Sequence, residues 1–236
     1  MSPDEERLYN AIEAVVGRMY RNRDTEELMR DIRQRFPSPV CLIESNAHAI
    51  SQTGLSWING FYFTMIPALA RRSQREAFGP KPKLDKLSVM SEYLKTLFTG
   101  VRVECYYAVL LSATGLAIRT VLIGRGTEDA TLFNLRETLS LTVQYSARAV
   151  VLCHNHPGGT LQPSREDIRC TLQAMNAMTA LQVPLLDHII IAHRHAVSIR
   201  ASGIIPTKLW TLQDPKNRLL RDWIDVDPML AEKDET

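Results

Sequence analysis

Val151-Leu-Cys-His154-Asn-His156-Pro-Gly-Gly-Thr-Leu-Gln-Pro-Ser164-Arg-Glu-Asp167 is the stretch on which the reading of the fold turns. Its start, Ala149 to His154, is a short, buried-looking strand. Side chains two apart on an extended strand point the same way, so His154 and His156 share one face. Imidazole is a good zinc ligand, and two imidazoles at a rigid strand end are already aimed together. Pro157-Gly158-Gly159 forces an abrupt turn, and Pro163-Ser164 puts proline and serine where a helix start favours them. Asp167, three residues into that first turn, is placed to reach back as a third ligand. Two histidines and one carboxylate leave a fourth zinc position for water, the arrangement a catalytic site requires. A lone His-x-His is weak, and Ser164 with Asp167 alone reads as a helix cap with an acidic first turn. The joint spacing His-x-His-x7-Ser-x2-Asp is what points to a metal.

Outward from this stretch the pattern alternates between helix and strand. Toward the C-terminus come a helix over Ser164 to Ala180, a strand over Leu185 to Ala192 and a last strand around Ala196 to Arg200. Toward the N-terminus lie a helix over Leu135 to Ser146 and two strands, Leu116 to Ile123 and Glu104 to Leu111. A turn at Ser112 to Gly115 separates those strands, and a helix over Ser88 to Phe98 precedes them. This order predicts an α/β domain, a twisted sheet covered by helices.

The first seventy or so residues read as helices. Leu8, Ile12, Val15, Val16 and Met19 fall at helical spacing, as do Leu28, Ile32 and Phe36. Pro37 to Pro39 ends the second of these helices. A third runs near Ile58 to Arg72, where Pro67 predicts a kink or a boundary. Residues 71–86 carry six basic and two acidic side chains, a net +4, together with Gly79, Pro80 and Pro82. They read as a solvated linker, with a phosphate-contacting strip as the sharper alternative. The last residues, Asp222 to Thr236, are acid-rich and read as a loosely held tail.

Composition sets the outer bounds. The 236 residues are 45% hydrophobic and 23% charged, with a net charge of +2, which is ordinary for a globular protein and too small to imply a polyanion partner. Nothing approaches the roughly 20 apolar residues of a membrane span. The start, Met1-Ser-Pro-Asp-Glu-Glu, lacks the basic and apolar segments of a signal peptide. Four scattered cysteines, at 41, 105, 153 and 170, form no Cys-x-x-Cys pair. The expectation is reduced thiols and a cytoplasmic protein.

The central spacing resembles the JAMM motif of JAB/MPN-type zinc metallopeptidases, which cleave peptide or isopeptide bonds. His154-Asn-His156-Pro-x-Gly followed by Pro163-Ser164-Arg-Glu-Asp167 is especially similar to the bacterial RadC branch. Gly126-Thr127, Leu135-Arg136-Glu137, Leu186 to Ile190 and Val197-Ser198 resemble further RadC landmarks, so the likeness extends across residues 88 to 205. It implies a cytidine-deaminase-like mixed sheet flanked by helices, with a small all-α domain in front. The boundaries expected are a helical domain at 1–75, a basic linker at 76–87, the JAB/MPN domain at 88–212 and an acidic tail at 213–236. By the same resemblance, one zinc ion per chain is held by His154, His156 and Asp167. Glu104, on a strand that matches the family's Glu-x-aromatic pattern, is the implied general base, and Ser164 the donor to the oxyanion. The substrate class implied is a peptide or isopeptide. The competing reading is a DNA-associated accessory protein without peptidase activity.

Several other residues invite weighing. Cys105 and Cys153 alternate away from the site and read as core, and Cys170 reads as packing. Asn155 faces away from the two histidines and is expected to hold the loop together. Asp187-His188 is expected to play a hydrogen-bonding role, or to orient a ligand histidine from behind. His193 and His195 flank Arg194 in an apparent turn and read as surface. Glu128 and Glu137 are nearby acids off the matching strand. A metallo-β-lactamase-like site would need His-x-His-x-Asp-His, but Gly158 stands two residues after His156. The helical N-terminus resembles the helix-hairpin-helix domain that precedes the RadC catalytic domain. Where that motif presents Gly-x-Gly to DNA phosphate, this chain has Gly54-Leu55-Ser56 and lacks the second glycine.

Overall fold

Apolar side chains three and four apart close five helices around one core. These are α1 (Pro3–Met19), α2 (Thr25–Arg35), α3 (Pro39–Ile43), α4 (Ala47–Ser51) and α5 (Trp57–Glu76). The computed structural model describes residues 3–20, 25–43, 45–126, 133–214 and 216–223. The chain divides into two compact units, Met1–Ser73 and Gln74–Thr236. In the first, Tyr9, Ile12 and Val16 pack with Leu28, Met29, Ile32, Leu42, Ile50 and Phe63. α5 passes through Pro67 without ending there, because Gly60, Phe63 and Pro67 form its buried face. One lost hydrogen bond in twenty residues is outweighed by that burial. In the turn before α5, Gly54 has φ +80° and the Ser56 N–H donates to the Tyr20 hydroxyl at 2.7 Å. That N–H is spent inside the unit.

The second unit holds α6 (Leu87–Phe98), β1 (Cys105–Leu111), β2 (Ala117–Arg125), α7 (Leu135–Gln144) and β3 (Ala149–Asn155). After them come α8 (Arg165–Ala180), β4 (Leu185–Ala192), β5 (His195–Ser198), α9 (Thr207–Leu212) and α10 (Arg218–Asp222). The strands form one mixed sheet in the order β2-β1-β3-β4-β5. Only β3 and β4 run parallel, joined by the α8 crossover that such a pair requires. Both are buried along their whole length, as strands covered on two faces must be. Ala149, Val151 and Cys153 of β3 face a core with Met90, Leu94 and Leu97 of α6. Val150 and Leu152 face the other way, onto Ala174, Met175 and Met178 of α8. This is the expected α/β architecture, with element ends shifted by one or two residues. Cys105 and Cys153 lie in the α6-side core.

Two segments are more ordered than their composition suggests. Residues 71–76, at the head of the expected linker, are the last turns of α5. Residues 82–84 lie along the start of β2: Leu84 N donates to Gly115 O at 2.7 Å and Ala117 N to Pro82 O at 2.9 Å. Leu84 is completely buried. Within the stretch expected as an acidic tail from position 213, Leu219, Leu220 and Trp223 join the α6-side core. Residues 224–236, and the landmarks Thr127 and Glu128, lie outside the described residues. Among the described residues no helix is long and apolar enough to cross a membrane.

Candidate metal centre

His154 is the penultimate residue of β3, on the α8 side of the sheet, and is fully buried. Opposite it on β1 stands Tyr106, and beside it on β4 stands Ile190. The chain stays in register for two more residues, since His156 N donates to Ile191 O at 2.9 Å. The His156 Nδ1 lies 2.8 Å from the Thr160 carbonyl. A carbonyl only accepts, so Nδ1 carries a hydrogen, and in the neutral ring Nε2 presents a lone pair. The turn between them depends on Gly159, at φ +84°, where an added Cβ would stand 2.5 Å from the His193 ring.

Ser164 caps α8 in a reciprocal capping box with Asp167. The Ser164 N–H and hydroxyl both donate to Asp167 Oδ2 at 2.7 Å. The other carboxylate oxygen, Oδ1, accepts from the Tyr106 hydroxyl at 3.0 Å. Asp167 is thereby gripped on both oxygens and turned toward the end of β3. Its Oδ1 lies 3.1 Å from His154 Nε2 and its Oδ2 3.4 Å from His156 Nε2. The two Nε2 atoms are 2.9 Å apart.

Glu104 sits immediately before β1 on the same side of the sheet, its Oε1 3.9 Å from His154 Nε2. Asn155 fixes it from behind. The Asn155 side chain accepts from Cys105 N at 2.8 Å and donates to Val103 O at 3.1 Å, so both neighbours of Glu104 are tied to the end of β3. The Glu104 side chain keeps 24% of its exposure, against 3% for Asp167. Together Glu104, His154, His156 and Asp167 bring one ligand atom each within 4.8 Å of one another.

These residues fit a small tetrahedral cation. Ligands about 2.0–2.1 Å from a zinc ion stand about 3.3 Å from each other, close to the edges of the His154, His156 and Asp167 triangle. Glu104 stands farther off and more open. Electrostatics agree: burial alone would raise the Asp167 carboxyl, but the His154 and His156 rings beside it hold it far below the carboxylate range. The hydrogen bond to Asp167 raises His156 above its ordinary 6.5, against the opposing pull of burial. Burial, then the charges of Asp167 and Glu104, push the Tyr106 hydroxyl up, so it stays a donor.

The structure therefore gathers Glu104, His154, His156 and Asp167 at one point and puts Ser164 against Asp167. The Ser164 hydroxyl gives its hydrogen to Asp167 rather than to the open side. Cys170 turns away, its thiol donating to Glu166 at 3.3 Å, with burial pushing its pKa up to about 12. His193 and His195 are exposed in the β4–β5 turn region. Asp187 accepts from Ser198 and Trp223, away from the cluster. His188, fully buried, does reach it: His188 Nε2 is 2.8 Å from His154 Nδ1, and His188 Nδ1 is 2.7 Å from Thr171 Oγ1. Burial first, then His154, holds His188 well below the ordinary histidine value. Tyr106, the aromatic of the Glu-x-aromatic match, whose ring also stacks on His154 at 4.4 Å, and Thr171 were given no role at the site from the sequence. Strand alternation from Glu104 would have found Tyr106, and the helical i, i+4 step from Asp167 would have found Thr171.

A mixed sheet with His-x-His leaving a central strand and Ser-x2-Asp opening the next helix defines a JAB/MPN-type domain. The RadC-like JAB domain profile matches residues 84–204. The chain belongs to this RadC family. A UPF0758 protein of Shewanella oneidensis strain MR-1 is 30% identical over 180 residues, 76% of this chain and 80% of its own length. One from Cupriavidus pinatubonensis is 29% identical over 184 residues, 77% and 80% of the two chains. A third, from Neisseria gonorrhoeae, is 28% identical over 187 residues, 79% and 83%.

Proposed function

We propose that this chain is a zinc-dependent hydrolase of the JAMM type, acting on peptide or isopeptide bonds. The observation that carries the reading is the triangle of His154 Nε2, His156 Nε2 and Asp167, with edges of 2.9–3.4 Å and a second, more exposed carboxylate beside it. Two imidazoles and one carboxylate at tetrahedral spacing suit zinc better than magnesium or calcium, which take oxygen ligands in larger number. When bound, zinc supplies a Lewis acid for the scissile carbonyl and makes water a usable nucleophile near neutral pH.

The chain's own residues do the rest. Glu104 accepts the proton of the attacking water and returns it to the leaving nitrogen. Its partial exposure lets it meet both water and substrate, which Asp167 cannot. Ser164 is the donor for the oxyanion. Its hydroxyl is now turned to Asp167, but the Ser164 N–H bonds the same Oδ2, so the carboxylate stays held when the hydroxyl swings to substrate. A donor at that oxygen matters by roughly 3 kcal/mol.

The test has two parts. Purified wild type is expected to carry one zinc per chain, lost in His154→Ala. Peptides and protein conjugates compared between cells with wild type and with Glu104→Gln are expected to include species that accumulate only with the variant. Wild type without affinity for zinc, or indistinguishable substrate profiles, would overturn the hydrolase.

A further inference from the structure

Each histidine of the centre must offer a bare Nε2, and for His154 that requirement is met from two shells away. Thr171 Oγ1 lies 2.6 Å from the Asp167 carbonyl, one helical turn back. A carbonyl cannot donate, so the hydroxyl's single hydrogen goes to it. Toward His188 Nδ1, at 2.7 Å, the same oxygen can then only accept, and Nδ1 must carry a hydrogen. A neutral imidazole has one such hydrogen, which leaves His188 Nε2 as an acceptor. Its partner at 2.8 Å is His154 Nδ1, which therefore donates. The hydrogen of His154 is used up on that side, and Nε2 faces Asp167 and His156 as a lone pair.

We propose that this proton-ordered chain, from the Asp167 carbonyl through Thr171 and His188, fixes the tautomer of His154 that can bind a metal. Thr171 and His188 are thus positioning residues of the centre. The ordering stands on hydrogen-bond geometry; its consequence for affinity rests on the zinc reading above. Asp167 acts twice, its carboxylate in the ligand triangle and its backbone carbonyl at the head of the chain. Run in reverse, the chain would put a hydrogen on His154 Nε2, pointing it at the other ligands and blocking coordination. Hydrogen-bond partners behind a metal-bound histidine typically govern affinity by about 10–100-fold.

The experiment reads the tautomer and the affinity separately. Nitrogen-15 spectra of histidine-labelled, metal-free protein are expected to show the His188 hydrogen on Nδ1 in wild type and in Thr171→Ser. In Thr171→Val it moves to Nε2. Zinc competition against a chromogenic chelator is expected to show near wild-type affinity for Thr171→Ser and a loss of about 10–100-fold for Thr171→Val. His188→Gln, whose amide oxygen still accepts from His154, loses less than His188→Leu. In the His188→Leu background Thr171→Val costs no further affinity, because Thr171 acts through His188; a merely structural threonine would give an additive loss. Melting of each metal-free variant establishes that it is folded, and the wild-type spectrum with Thr171→Ser and His188→Gln carries the test if the apolar variants are not. A wild-type His188 hydrogen on Nε2, or folded Thr171→Val with affinity within about twofold of wild type, would overturn the proposal. Should the tautomers come out as expected while wild type binds no zinc, the metal reading fails and the ordered chain survives it.

Discussion

Asp167 and His156 illustrate how single residues tie the centre to pH. His156 is raised above 6.5 by its hydrogen bond to Asp167. A group whose folded pKa is raised contributes stability that is present below its unfolded value and lost as pH rises through the folded value. Metal-free protein is therefore expected to melt at progressively lower temperature as pH climbs from 6.5 through the raised His156 value. Zinc needs the deprotonated ring, so its binding strengthens over the same window. The gap in melting temperature between zinc-loaded and chelated protein should widen with pH, and melts at several pH values check it. A constant gap would mean that His156 does not exchange a proton for the metal. At this scale the sequence was informative about which side chains converge and less so about what supports them. Spacing points to His154, His156 and Asp167, and alternation and the helical step put Tyr106 and Thr171 on the matching faces, but that they hold the cluster follows only from contacts that join β1, α8 and β4.

The β3–turn–α8 segment does the positioning, and its geometry depends on one backbone conformation. Gly159 holds φ +84°, and the Cβ of any other residue would meet the His193 ring at 2.5 Å. Gly159→Ala is expected to lose about 1–2 kcal/mol from the unfavourable conformation alone. A further loss, from displacing His193, should be recovered in Gly159→Ala with His193→Ala, while the backbone part remains. Urea midpoints of wild type and these two variants measure both parts, and an unchanged midpoint for Gly159→Ala would show that the turn relaxes freely. Elements with a strong period were legible: β4 occupies Leu185–Ala192 as expected, and β3 ends at the histidines. Elements set by packing were not. Proline at 67 locally predicts a break, but the buried face of α5 overrides it. The prolines and lysines near position 82 suggest a solvated hinge, although backbone pairing with Gly115 and Ala117 holds that segment against β2.

Over the whole chain, stability is concentrated in separate cores. In the second unit Asp187 is completely buried and accepts from Ser198 Oγ at 2.6 Å, Trp223 Nε1 at 3.0 Å, and the His188 and Arg200 backbone at 2.7 and 3.2 Å. It joins β4, β5 and the end of α10, which explains why an acid-rich terminus is packed as far as Trp223. Removing that carboxylate strands several buried donors and the Arg200 charge. Asp187→Ala is expected to destabilise the unit by about 3–5 kcal/mol in chemical denaturation. A loss under 1 kcal/mol would show that water replaces the carboxylate there. A zinc ion held as proposed would bear on this core and not on the one built by α1 to α5, since all four residues of the candidate centre lie in Gln74–Thr236. At 100 times its Kd, a ligand of the folded state adds about 2.7 kcal/mol, or about 5–10 °C for a unit of this size. Trp210 and Trp223 are buried in the second unit, while Trp57 is exposed in the first. Fluorescence melting of Trp57→Phe should therefore shift upward with zinc. The helical circular-dichroism signal, dominated in part by α1 to α5, should keep a component that zinc does not move. A single transition shifting as a whole would mean that the two cores unfold together, and that the metal stabilises the entire chain.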